Sequence, residues 1–211
     1  RYQEVETIYD SSTLFAASDS GHQGLYRQLA FGLSALMAMG ADARQQSAMV
    51  DDWLRSLVVH EVGHTLGLSH NMRASQYRPL SELHNRIETG RSGVSASVMD
   101  YEATNVAPPG QPQGQYWSTV PGPYDDWAIA YGYSEALADP VAEAARLQEI
   151  LGRSTEPQLA FGNDADDMRV PGAGIDPRVM TFDMSSDAIG FAEQRLQLIQ
   201  QLQGDLRHKL T

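Results

Sequence analysis

The sequence predicts an α+β protein that is predominantly helical. Apolar residues recur at helical spacing in several long stretches, while strand-like alternation is confined to "YQEVETIY" at residues 2–9. Loops rich in glycine and proline separate these stretches. A chain of 211 residues can bury one substantial core, or form one domain with an appendage. The expected organisation is a remnant of an N-terminal subdomain over 1–44, a central unit over 45–135, and a helical extension of the same domain over 136–211. Arg1 opens directly into mid-domain sequence with no leader, so the chain reads as a piece of something longer.

Residues 24–40 carry apolar positions at helical spacing and stop at Gly40. Residues 45–67 form the clearest helix. Asp51 and Asp52 sit early in it, Leu54, Leu57, Val58, Val62 and Leu66 mark an apolar stripe, and Gly67 suits the left-handed position that ends a helix. Residues 71–96 read as mostly irregular, with a short helix at "PLSELHNRI". "SASVMDYEATN" is a tight, partly apolar segment, and "VAPPGQPQGQYWSTVPGP" is expected as a surface loop. Helices are expected at "YDDWAIAYGY", "EALADPVAEAARLQEILG" and "DAIGFAEQRLQLIQQLQGDLRHKL", with the acidic loop "NDADDMRVPGAGIDP" between the last two.

A formal charge of −12 argues against a nucleic-acid partner, whose phosphates would be repelled. No apolar run is long enough for a membrane span. The chain has no cysteine, so disulfides and thiolate ligands are excluded.

Three of the six histidines lie within "HEVGHTLGLSH", at positions 60, 64 and 70. His60 and His64, four apart on a helix, share one face and can bind one metal ion. Glu61 lies beside them, placed to reach a water at the metal without taking a ligand position. His70 can join only if the chain turns sharply after the helix, and Gly67 permits that turn. The pattern is therefore two ligands, a base, a hinge and a third ligand, the donor set of a catalytic zinc with an open fourth position. Chance would produce it in a chain this long on the order of 10⁻⁵ times.

This stretch resembles the metzincin clan of zinc endopeptidases, in which the extended histidine motif is followed by a methionine-containing turn. "SVMDY" supplies that second element, with Met99 as the apolar floor under the histidines. Tyr101 falls where astacin-like and serralysin-like members carry a tyrosine that ligates zinc or stabilises the tetrahedral intermediate, although Asp100 stands where those groups have histidine. "YDDWAIAYGY" is similar to the helix after that turn, with Asp126 matching its anchor and Tyr131-Gly132 its end. The whole string is most similar to a family of large secreted or periplasmic bacterial zinc metalloproteases, which implies that localisation. The resemblance implies a zincin catalytic core, a polypeptide substrate, Zn²⁺ on His60, His64 and His70, Glu61 as general base, and Gly67 and Met99 in support. It also implies an upstream sheet for which the residues before the zinc helix leave little room. On that reading this piece of chain is expected to be a poor protease, and its uncovered apolar stripe to favour self-association or a rearranged N-terminal segment. Two alternatives stand beside the endopeptidase: a zinc hydrolase acting on a non-peptide amide or ester, and a catalytically silent zinc-binding interaction domain.

His22, His84 and His208 are isolated and are read as non-ligands. Asp164, Asp166, Asp167 and Asp176 could gather around calcium, but they lack EF-hand spacing, and a solvated acidic loop is the better reading. The segment 107–123 is open to two readings, the wall of a substrate pocket or a plain surface loop.

Overall fold

A computed structural model describes residues 11–166 and 176–210. Among the described residues the protein is helical, with seven α-helices and no strand. The strand expected over 2–9 lies outside the described residues.

Helix α1 (Ser11–Ala38) starts earlier than its apolar periodicity and leads into α2 (Ala43–Thr65). At the joint, the Gly40 and Ala41 amides donate back to Met37 O (3.1 Å) and Leu36 O (2.8 Å), the double bond that closes a helix at a left-handed residue. Asp42 then caps α2 reciprocally. Its Oδ1 accepts from Gln45 N at 2.8 Å, and Gln45 Oε1 accepts from Asp42 N at 2.9 Å. A four-residue reversal over 39–42 therefore lays α2 against α1.

The buried face of α2 is not the predicted stripe. Met49, Trp53, His60 and Gly63 are buried, and Leu57 is half-buried. Leu54, Val58, Val62 and Leu66 are 50%, 62%, 49% and 40% exposed. Two stripes at four-residue spacing coexist on this helix. The one carrying Met49 and Trp53 finds partners in Leu36 of α1 and in Tyr116 and Trp117, and the large aromatic area buried there decides the orientation.

Beyond α2 the chain is irregular, and Arg78 organises it. This arginine is only 2% exposed. Its Nε donates to Gly93 O at 2.7 Å, and its terminal nitrogens reach Glu82 Oε2 (3.1 Å), Glu88 O (3.0 Å) and Ser92 Oγ (2.6 Å). One guanidinium thus ties together the short helices α3 (Leu80–Leu83) and α4 (Arg86–Ser92).

Residues 93–105, containing the "SVMDY" turn, are buried throughout. A buried non-helical strand of chain must satisfy its amides elsewhere. Here Ala96 N donates to Ala74 O at 3.0 Å, Val94 N donates to Ser118 Oγ at 3.0 Å, and Asn105 N donates to Tyr116 O at 3.0 Å. The expected surface loop 106–123 is therefore only partly one, because Tyr116, Trp117 and Ser118 are core residues. Its tip shares an open cleft with Leu36, Met39 and Gln45 around the joint of α1 and α2, and α2 runs about 1.5 Å per residue from there to the histidines, so the tip is remote from their site.

Helix α5 (Pro123–Tyr133) is anchored by Asp125, one residue before the expected Asp126, which is exposed. Asp125 accepts from Ser97 Oγ (2.5 Å), Val98 N (2.9 Å) and Gly122 N (2.8 Å), which binds the helix start to the turn. The helix ends at Tyr133, one residue past the Tyr131-Gly132 pair expected at its end, and the Tyr133 hydroxyl donates to Leu66 O at 2.9 Å. Trp127 Nε1 donates to Ile150 O (2.7 Å) and joins α5 to α6 (Pro140–Gly152). Helix α7 (Ala188–Leu210) returns to α1, and Arg195 bridges them by donating to Thr104 O (2.7 Å) and Gln28 Oε1 (2.6 Å). No described helix is long and apolar enough to cross a membrane.

Candidate metal centre

His60, His64 and His70 converge, each offering a ring nitrogen within 4.8 Å of the others. The first two leave adjacent turns of α2. The third arrives because Gly67 takes φ +84°, where a side chain would be strained. The Gly67 and Leu68 amides donate to His64 O (3.0 Å) and Gly63 O (3.1 Å), closing α2 as α1 was closed and sending the chain back across the helix end.

Hydrogen bonds to acceptor-only partners determine the tautomer of every ring. His60 Nδ1 lies 2.8 Å from Val98 O, and His64 Nδ1 lies 3.0 Å from Leu68 O. His70 Nδ1 lies 2.7 Å from the carboxylate oxygen Asp164 Oδ2. A carbonyl or carboxylate cannot donate, so each Nδ1 carries the proton and each Nε2 presents a lone pair. His64 Nε2 and His70 Nε2 are 3.2 Å apart. Two lone pairs at that distance repel unless a cation sits between them. Ligand atoms of a tetrahedral zinc with bonds of about 2.0–2.1 Å lie about 3.3–3.4 Å apart, so this pair fits zinc in spacing and all three donors fit it in chemistry. Burial, partly opposed by the bond to Val98 O, pushes the His60 imidazolium down to about 4, so this ring is neutral at neutral pH.

Met99 packs against α2 beside the histidines: a β-carbon added to Gly63 would lie 2.3 Å from its sulfur, so the glycine lets helix and methionine approach closely. Tyr101 is 6% exposed, and its ring lies 5.3 Å from that of His60, nearly parallel at 17°, and 4.7 Å from that of His70. Its far side faces Phe182. Glu61 is exposed on α2 beside His60. Asp100 is committed to Ser75, accepting from its N at 2.7 Å, and burial raises its carboxyl well above the usual range.

Of the remaining candidates, His84 is buried away from the cluster, and the side chains of His22 and His208 lie outside the described residues. The aspartates of the acidic loop are engaged separately. Asp176 pairs with Arg178 (2.7 Å) and Arg73 (3.8 Å), Asp166 accepts from Asn163 N (3.3 Å), and Asp167 lies outside the described residues. Asp164 goes to His70, a contact that loop composition could not reveal across 94 positions.

Residues 42–211 match the family described as Met-zincin. The chain belongs to the Met-zincin family. The match begins at the cap of α2 and takes in the three histidines, the methionine turn and the loop that reaches His70. Membership and the histidine cluster agree on zinc as the metal, and the family suggests a zinc metallopeptidase-like function. No curated protein and no solved structure matched the chain in the same comparisons.

Proposed function

We propose that this Met-zincin hydrolyses peptide bonds with Glu61 as general base. The observation that carries the reading is the convergence of three Nε2 lone pairs, each fixed by its Nδ1 partner, with Glu61 on the same helical turn. Zinc held there supplies a Lewis acid for a carbonyl and lowers the pKa of water toward neutrality. Glu61 takes the proton of the attacking water at its carboxylate and delivers it to the nitrogen of the departing amine. Tyr101 walls the histidines with its ring, and its hydroxyl is assigned to the developing oxyanion. Among the described residues the cluster has three donors, and zinc held by three side chains would keep a position for water or substrate, as catalytic sites do, whereas structural zinc is closed by four protein ligands.

The test is Glu61→Gln in zinc-loaded protein that cleaves casein. Hydrolysis is expected to fall at least about 100-fold, the scale of a lost general base, with one zinc per chain retained. Wild-type rates in the variant would reassign the base. Tyr101→Phe keeps the ring and removes the hydroxyl, so kcat is expected to fall with KM nearly unchanged. Equal changes in both constants would remove the hydroxyl from the chemistry.

A further inference from the structure

We propose that Asp164 is the positioning residue for the third zinc ligand. Its carboxylate holds Nδ1–H of His70 and turns Nε2 of that ring toward the metal. The inference rests on the zinc reading of the three histidines and is independent of peptide hydrolysis.

The three rings are held in two different ways. His60 and His64 donate to backbone carbonyls, Val98 O at 2.8 Å and Leu68 O at 3.0 Å, which the fold supplies whatever the side chains there. His70 donates to a side chain, Asp164 Oδ2 at 2.7 Å, from a residue 94 positions away. His70 also lies past the end of α2, where no helix fixes its direction. The ligand with the weakest backbone support therefore has the strongest partner, since a charged acceptor makes a shorter and stronger bond than a carbonyl.

The route by which Asp164 arrives is built into the residues after His70. Asn71 is fully buried. Its Oδ1 accepts from Gly162 N at 3.1 Å and its Nδ2 donates to Ala160 O at 3.1 Å. Met72 N donates to Gly162 O at 2.7 Å, and Asn71 N donates to Met99 O at 3.0 Å. One asparagine thus binds the ligand segment, the methionine turn and residues 160–162 into a single unit. Asp164 follows two residues on, opposite His70.

The carboxylate itself is 55% exposed, so removing it opens no core cavity, and an ion pair at such exposure adds little to folding. A partner that orients a ligating imidazole, by contrast, typically changes metal affinity by about 10–100-fold. The two roles therefore separate cleanly. Zinc affinity is measured by competition with a chelator for wild type, Asp164→Ala, Asp164→Asn and Asp166→Asn, with thermal unfolding of the zinc-free proteins alongside. Asp164→Ala is expected to bind zinc about 10–100-fold more weakly at unchanged zinc-free stability. Asp164→Asn is expected to recover part of the loss, because its amide oxygen still accepts from Nδ1–H. Asp166→Asn removes the same charge from the same loop and is expected to stay near wild type. The visible absorption of the cobalt(II)-loaded Asp164→Ala protein is expected to differ from that of wild type, reporting a changed ligand geometry. Wild-type zinc affinity in Asp164→Ala, or an equal loss in Asp166→Asn, overturns the assignment. A wild-type chain that binds no zinc overturns it together with the zinc reading, whereas a zinc-binding chain that fails to cut casein leaves it standing.

Discussion

At the scale of single residues, the site depends as much on an absent side chain as on the ligands. Gly63 sits one residue before His64, and a β-carbon there would enter the sulfur of Met99 at 2.3 Å. Gly63→Ala should therefore destabilise the protein by about 1–3 kcal/mol, the ordinary cost of overpacking. Met99→Ala makes room for the new methyl, so the double variant should lose less than the sum of the two single variants. Chemical denaturation of the four proteins checks this. Strict additivity would mean that helix and turn do not share the contact. The ligand residues were legible in the sequence because all three lie within one short stretch whose spacing has a geometric meaning. Asp164 was not legible, because an aspartate in an acidic loop looks the same whether or not a histidine faces it. Asp125 was missed by one position for a similar reason. Two adjacent aspartates open α5, and only the packing distinguishes the anchor from the solvated neighbour.

At the scale of elements, α2 has two apolar faces and buries one of them. Trp53→Ala removes an aromatic side chain 7% exposed in the cluster with Leu36, Met49 and Trp117, and should cost about 3–5 kcal/mol. Val58→Lys and Val62→Lys change exposed positions on the opposite face and should cost no more than about 0.5 kcal/mol each. Urea midpoints of the three variants of this chain decide it, and comparable losses would mean that the exposed face is covered in solution. Helical periodicity located α2 and its glycine end in the sequence, yet it pointed to the stripe that stays exposed. Period and apolarity mark which residues share a face. They do not say which face is covered, and here that depends on Tyr116 and Trp117, held in what reads as a loop. The same limit hid the burial of residues 93–105, whose order comes from carboxylate, hydroxyl and backbone partners remote in sequence rather than from any local pattern.

At the scale of the whole molecule, buried ionisable groups make stability depend on pH from both sides. Burial is the largest cause raising Asp100, Glu102 and Asp125. Groups raised in the native state contribute stability that is present below the ordinary carboxylate range and is lost as pH rises through their raised values. His84 is lowered by burial from 6.5, so its contribution is lost as pH falls below that value, where the unfolded chain takes the proton more readily. In zinc-free protein, the stability of wild type relative to Glu102→Gln should shrink as pH rises, and relative to His84→Gln it should shrink as pH falls below about 6.5. Urea denaturation across pH measures both, and a trend of opposite sign in either would contradict the burial argument. The spacing of the ligands has one more consequence, for the order of events as the chain folds. His60, His64 and His70 are neighbours along the chain, so closing a loop between them costs little entropy even when nothing else is ordered. The denatured ensemble therefore retains some affinity for zinc, and added zinc raises the unfolding midpoint by less than the native affinity alone would give. Asp164, 94 positions from His70, joins only after the chain has collapsed. The metal can thus meet its ligands early, while the full grip on it is a property of the finished fold.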